Sequence, residues 1–257
     1  MPRRKPRKIG AGYRIAVLVL RPLLMALTRR HWRGSENLPA HGGFIIVVNH
    51  ISHADPFTFG HFLYDNGHLP RYLTKSTVFE TPFFGWIVRN AQQIPVYRET
   101  ADAQKAYRAA IEALDRGQCV AIYPEGTLTR DPQLWPMSGK TGAARLALAT
   151  GYPLLPAAQW GAHEILPPYA HRPRLLPRHD VYVTLGPPVD LSAFEGQELT
   201  GPVLTAATDT VMDAITALLA EIRQEPPPAV RWDPRTSALP RTGNPARRAN
   251  TRRKAAG

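Results

Sequence analysis

Cysteine is nearly missing from this chain: Cys119 is the single one in 257 residues. One thiol cannot build an internal disulfide framework, and its scarcity fits a reducing compartment. It lies within the apolar run Cys119-Val120-Ala121-Ile122-Tyr123, where a buried packing role is expected, not that of a nucleophile. Long apolar runs are lacking too. None approaches the ~20 residues that span a bilayer. The nearest, Tyr13 to Leu27, is broken by Arg14, Arg21 and Pro22. No small-residue cleavage site follows it, so a secretory signal is not expected. Acidic residues are scarce at both ends. Residues 1–14 hold six Lys or Arg and no acid, and residues 231–257 hold eight against one Asp. The net charge is +12, yet the 216 residues between the ends net −1. The basic character therefore belongs to the termini, which can meet anionic lipid or nucleic acid, or simply be solvated. Internal repeats are absent as well.

What is present is an alternation of strand and helix signals. Phe44-Ile45-Ile46-Val47-Val48 is a wholly apolar run bounded by Gly43 and Asn49, the pattern of a strand buried on both faces. Further strands are expected at residues 71–75, 92–96, 119–123, 154–160 and 181–185. Helices are expected at residues 56–64, from Ala103 to Leu114 with Gly117 closing it, from Ser138 as N-cap to Gly151, and from Leu204 to Ile222. This order predicts an α/β fold, a single domain with a largely parallel mixed sheet flanked by helices. Residues 1–33 read as a basic N-terminus and a helix lying in a membrane interface, with Trp32 and the flanking arginines as anchors; a core-packing helix is the other reading. The folded body is expected over 34–225. Residues 226–257, rich in Pro and Arg with few large apolar side chains, read as a disordered tail.

The central stretch is Asn49-His50-Ile51-Ser52-His53-Ala54-Asp55-Pro56. His50 falls just past a strand's C-terminal end, where open α/β sheets place their ligands. Asp55 before Pro56 is a helix start, with a side-chain acceptor at the N-cap and proline at the first helical position. The loop is short enough to turn the Asp55 carboxylate back to the His50 imidazole. A carboxylate on one ring nitrogen fixes the tautomer and leaves the other nitrogen as a proton acceptor. The plainer alternative stands beside it: Asp55 only caps its helix, and His50 is a polar loop residue. Lys75 and Arg98 follow two other strands, and Glu125-Gly126-Thr127 follow a fourth. Two cations at strand ends suggest an anionic ligand, most simply a phosphate. Gly126 allows close backbone approach and can aim N–H groups at developing negative charge.

These residues resemble the glycerolipid acyltransferase family, in its lysophosphatidic-acid (PlsC-type) branch. Asn49-His50 through Asp55 looks like the family's N-H-x-x-x-x-D signature, and Ile94-Pro95-Val96-Tyr97-Arg98 like its second block. Tyr123-Pro124-Glu125-Gly126-Thr127 resembles its F-P-E-G-T block, and Tyr152-Pro153-Leu154-Leu155-Pro156 its last. The four stand in family order across about residues 34–190. One position departs: the family usually carries Arg after E-G-T, where this chain has Leu128, with Arg130 two residues on and Lys140 further along. The resemblance implies transfer of a fatty acyl group from acyl-CoA or acyl carrier protein to lysophosphatidic acid, with glycerol 3-phosphate or a lyso-glycolipid as other acceptors. His50 would be the base and Asp55 its support. Lys75, Arg98, Glu125, Gly126, Thr127, Arg130 and Lys140 would bind substrate, and Phe83, Phe84 and Trp86 could line acyl chain. No metal and no cofactor beyond the thioester is implied, and no nucleic acid; the expected place is the cytoplasmic face of a membrane rich in anionic lipid. Two rivals are a metal hydrolase using His50, His53 and Asp55, and a membrane- or nucleic-acid-binding module driven by the basic ends.

Overall fold

The computed structural model describes residues 10–96 and 100–236; Arg98 lies outside them, as do the side chains of Phe83 and Phe84. The elements in order are α1 (Ala11–Leu27), β1 (Thr28–Arg33), β2 (Phe44–Val48), α2 (Asp55–Asp65), β3 (Pro70–Lys75), α3 (Ser76–Phe79), α4 (Pro82–Asn90), β4 (Ile94–Val96), α5 (Thr100–Asp115), β5 (Cys119–Ile122), α6 (Gly142–Thr150), β6 (Leu154–Trp160), α7 (Ala162–Ile165), β7 (His179–Leu185) and α8 (Gly201–Arg223). The strands form one sheet in the order β1-β7-β6-β2-β5-β3-β4. Only β6 and β7 pair antiparallel; the other neighbours run parallel. The mixed, largely parallel sheet is as expected.

Central β2 explains the layering. All five of its side chains are buried, and successive ones alternate between two cores. Ile45 and Val47 meet Leu114 of α5, Leu146 of α6 and Val211, Met212 and Ile215 of α8. Phe44, Ile46 and Val48 face Phe59, Phe62 and Leu63 of α2. By length and hydropathy α8 is the one helix among the described residues that could cross a membrane. Its apolar stripe, Leu204, Val211, Met212, Ile215 and Leu219, is instead buried in the domain, each side chain contributing roughly 1.5–3 kcal/mol. Asp209, Asp213 and Glu221 face outward. It is a core helix.

Four expectations need correction. Residues 28–33 are not part of an interfacial helix: β1 pairs with β7 from Thr28↔His179 to Arg33↔Thr184, and Trp32 packs edge-on to His61 and Phe62. The β-branched and aromatic residues of this stretch find a free sheet edge, which outweighs its charge. The expected tail is ordered over residues 226–236, because Arg231 pairs with Asp209 and Asp213 and Ser138 N–H donates to Trp232 O. Ser138 is therefore no helix cap; α6 begins at Gly142, after Thr141. The fourth concerns Asp55 and is taken up with the site.

Helix α1 packs across α4 so closely that a Cβ on Gly12 would lie 2.4 Å from Asn90 Cβ. Arg21 Nε also reaches Asp65 Oδ1 at 2.9 Å. Its other face is left to solvent, with Leu18 76% and Val19 60% exposed beside Ile15 and Leu23.

Candidate active site

Because β2, β3, β4, β5 and β6 run the same way, their C-terminal ends share one edge. The β2–β5 register, Val47↔Ile122, carried three residues on, brings His50 beside Glu125. Extending Tyr72↔Ala121 likewise brings Lys75 level with Pro124. A cavity of about 530 Å³ opens at the opposite edge, around Arg71, Gln93 and Gln118, away from this chemistry.

The strand end is latched before the loop begins. Asn49 Nδ2 donates to Gln159 O (3.0 Å), while Gln159 N and Nε2 donate to Asn49 Oδ1 (2.8 Å) and O (2.9 Å), all buried. His50 is then held through its backbone on both sides. Its N–H donates to Glu125 Oε1 at 2.9 Å, and its carbonyl accepts from Thr129 N–H at 2.7 Å. The imidazole follows as the one part left to do chemistry. His50 Nδ1 lies 2.8 Å from Asp55 Oδ2. The same oxygen accepts from Ile51 N–H (2.7 Å) and Ser52 N–H (2.8 Å).

Asp55 thus corrects the N-cap expectation. The carboxylate makes no capping bond to its own helix and turns back over the loop, while Pro56 does sit in the first helical turn. Three N–H donors converging on one buried oxygen outweigh the one or two an N-cap offers. Since Nδ1 faces an acceptor, the proton belongs on Nδ1 and the lone pair on Nε2. Asp55 is sealed (0%) and the His50 side chain is 15% exposed, so the dyad shows one edge to the outside. Tyr123 stacks on the imidazole, 4.1 Å between centroids and 23° between planes, with Tyr72 stacked behind it and donating to Pro56 O. Burial holds both phenols well above the usual tyrosine range, so they are neutral packing surfaces at this site.

Glu125 is buried, with Oε1 on His50 N–H and Oε2 on Met137 N–H (3.1 Å). Burial pushes its carboxyl up to about 8, against the pull of those amides. With both oxygens engaged it braces the His50 backbone. Gly126 adopts φ +68° and its N–H is taken by Tyr123 O at 2.9 Å, so this amide does not point at a substrate. A Cβ there would meet Lys140 Nζ at 2.7 Å: the exposed ammonium of Lys140 lies across the glycine. Leu128 is buried in the core, and Thr129 Oγ1 donates to Trp135 O at 2.6 Å. The next cation, Arg130, is only 5% exposed. Its Nη1 donates to Tyr169 Oη, and the guanidinium stands 5.2 Å over the Tyr169 ring. That ring lies 6.0 Å from His53. Burial, then the neighbouring His50, lowers the affinity of His53 for a proton. Thr127 is half-buried at the same place, and Lys75 is exposed at the end of β3.

Of the residues expected from sequence, His50, Asp55, Glu125, Gly126, Thr127, Arg130 and Lys140 gather on this edge with Lys75. Trp86 is 38% exposed on α4. Three residues of the site were not foreseen. Tyr123 and Asn49 stand inside recognisable blocks, so their positions were available though their roles were not. Tyr169, in a proline-rich connection, gave no signal. Among the described residues no group of three or more His, Cys, Asp or Glu side chains is arranged to hold a metal ion.

A family model described as Acyltransferase matches residues 29–160, just over half of the chain. The chain is similar to the 1-acyl-sn-glycerol-3-phosphate acyltransferase BAT2, chloroplastic, of Brassica napus, 31% identical over 137 residues that cover 52% of this chain and 38% of that protein. It is likewise similar to the 1-acyl-sn-glycerol-3-phosphate acyltransferase of Bacillus subtilis (strain 168), 33% identical over 129 residues, 49% of this chain and 60% of the relative. The matched part is thus less than two-thirds of either relative's length. Among solved structures, the 1-acyl-sn-glycerophosphate acyltransferase PlsC from Thermotoga maritima superposes with a TM-score of 0.57 at 21% identity, covering 86% of this chain and 84% of that one. At that identity the likeness is one of fold.

Proposed function

Since this chain belongs to the acyltransferase family, we propose that it moves a fatty acyl group from an acyl thioester to the free hydroxyl of lysophosphatidic acid, giving phosphatidic acid. The observation that carries the reading is the His50–Asp55 pair at 2.8 Å, sealed on the carboxylate side and open at the imidazole. Nε2 takes the acceptor's hydroxyl proton as that oxygen attacks the thioester carbon. The tetrahedral oxyanion collapses, the C–S bond breaks, and the proton passes from Nε2 to the departing thiolate. Asp55 steadies the imidazolium between the two transfers. No covalent acyl-enzyme is needed, and Cys119, fully buried with its thiol pushed far up by burial, takes no part.

The acceptor's phosphate would be met by Lys140, Lys75 and Arg130. Leu128 favours a second reading of the acceptor. Its side chain is in the core, so the guanidinium that the family usually carries there would be supplied by Arg130, beside the Tyr169 ring. A lyso-glycolipid or glycerol 3-phosphate would make different demands on that rim. The donor is acyl-CoA or acyl carrier protein. The apolar stripe of α1 and the basic first residues support peripheral attachment to the cytoplasmic face of a membrane.

Purified protein given palmitoyl-CoA and a panel of lyso-acceptors, with thiol release followed, tests the reading. Release that depends on lysophosphatidate and vanishes in His50→Ala is the expected result. Release that survives both His50→Ala and Asp55→Ala defeats the mechanism, and release on another acceptor alone defeats the substrate.

A further inference from the structure

The connection between α7 and β7 ties the mouth of the site to α1. At its start Ser52 Oγ donates to Leu166 O at 2.6 Å, and Tyr169 holds Arg130. It then runs as His171-Arg172-Pro173-Arg174-Leu175-Leu176-Pro177-Arg178, exposed at every residue. Both flanks are fastened. Arg174 N–H donates to Ile165 O (2.7 Å) and Arg174 O accepts from His179 Nε2 (2.9 Å). Arg178 Nη2 donates to Met25 O (3.0 Å) in the last turn of α1 and to Thr28 O (2.9 Å) at the start of β1. Between these ties Leu175 stands 45% and Leu176 81% exposed.

Single exposed leucines are ordinary. Here two adjacent ones lie on a strap fastened to the end of a helix whose own stripe of Ile15, Leu18, Val19 and Leu23 is also exposed. Arg172 and Arg174 flank the leucines, and the strap itself contains no acid. The bordering acids are already paired, Glu164 with His179 and Asp180 with Arg29 and His31. An apolar tip within a cationic rim matches one partner, a bilayer surface bearing anionic headgroups.

We propose that residues 171–178 are a membrane-docking strap: Leu175 and Leu176 enter the lipid interface, Arg172 and Arg174 meet anionic headgroups, and Tyr169 with Arg130 is thereby set at the lipid surface. The strap goes beyond the transfer reading and is tested apart from it, because its readout needs no turnover. A Leu176→Cys variant carries an environment-sensitive fluorophore; the other thiol, Cys119, is 2% exposed and stays unlabelled. Vesicles of phosphatidylcholine mixed with phosphatidylglycerol should shift the emission to the blue, and salt should weaken the shift. Changing Leu175 and Leu176 together to Ser should lower partition into those vesicles about tenfold, with the rate on a water-soluble short-chain acceptor unchanged. Emission that does not move with lipid overturns the proposal, as does an equal shift with pure phosphatidylcholine. A shift that needs no vesicles and grows with protein concentration assigns the strap to a second copy of the chain and overturns it too.

Discussion

Asp55→Asn separates the charge of the dyad from its shape. In the wild type Oδ2 accepts three N–H groups, from Ile51, Ser52 and the imidazole. The asparagine amide can present either end to them. With NH2 inward, the two backbone amides would be buried without an acceptor, at about 1–3 kcal/mol each. The imidazole could relieve only its own clash, by moving its proton to Nε2 and ceasing to be a base. With the carbonyl inward, all three donors keep an acceptor and the tautomer is retained; the negative charge is gone, and the NH2 takes the buried, unpartnered place of Oδ1. The two amides therefore select the second arrangement. A hydrogen bond to a charged group contributes about 1.5–3 kcal/mol against about 0.5–1.5 for a neutral one, so the imidazolium loses roughly 1–2 kcal/mol of support. That converts to a fall in kcat of about 5–30-fold, less than the ~10²–10⁴ expected for removing the base in His50→Ala. The assay is thiol release from palmitoyl-CoA with lysophosphatidate varied, so that kcat and KM separate; KM should stay within about threefold. A kcat within threefold of wild type would refute the dyad. An Asp55→Asn enzyme as inert as His50→Ala would refute the locked tautomer.

The remaining expectations concern the frame around the imidazole. Tyr123→Ala removes the ring stacked at 4.1 Å on His50 and should lower kcat about tenfold, while Tyr123→Phe keeps the stack and most of the rate; equal rates for both would deny the stack a positioning role. Burial raises the Glu125 carboxyl to about 8 from an unfolded value near 4.5, so its contribution to stability is fully present below the unfolded value and is lost as pH rises through about 8. Thermal unfolding of wild type should therefore fall relative to Glu125→Gln between about pH 5 and 8 and level off above, and parallel profiles would count against the buried proton. Gly126→Ala places a Cβ at φ +68° where Lys140 Nζ now lies, and should cost about 1 kcal/mol while raising the acceptor KM several-fold. Lys140→Ala should raise the same KM without the loss of stability, and an unchanged KM would remove Lys140 from the acceptor site.

What could be read from the chain follows how locally each feature is determined. β2 was legible because burial on both faces leaves five consecutive apolar residues, and α8 because its buried stripe repeats at helical spacing. The dyad was legible because its donors and acceptor fall within six residues of one loop. β1 was misread because Arg29, Arg30, His31 and Arg33 hide a strand whose partner, β7, lies about 150 residues away. The order in residues 226–236 was missed for the same reason, since Arg231 gains its acids from α8. Tyr169 could not be anticipated because its contacts with Arg130 and His53 span some forty and more than a hundred residues.

The same distinction bears on how the site divides its work. Asp55 occupies the first turn of α2, and its carboxylate turns back over the loop to where two loop amides converge. Helix start and anion site are one structure, since the positive end of α2 stabilises the charge that orients His50. On the proposed reading, nothing in that unit depends on which lipid is acylated. The cations stand on separate segments: Lys75 at the end of β3, Lys140 across Gly126, Arg130 under Tyr169. Leu128 is buried and takes part in none of the dyad's hydrogen bonds. On the proposed reading, acceptor preference can shift by moving a cation along the rim while the proton-transfer unit stays fixed, because the residue after Glu125-Gly126-Thr127 shares no hydrogen bond with the base or its carboxylate.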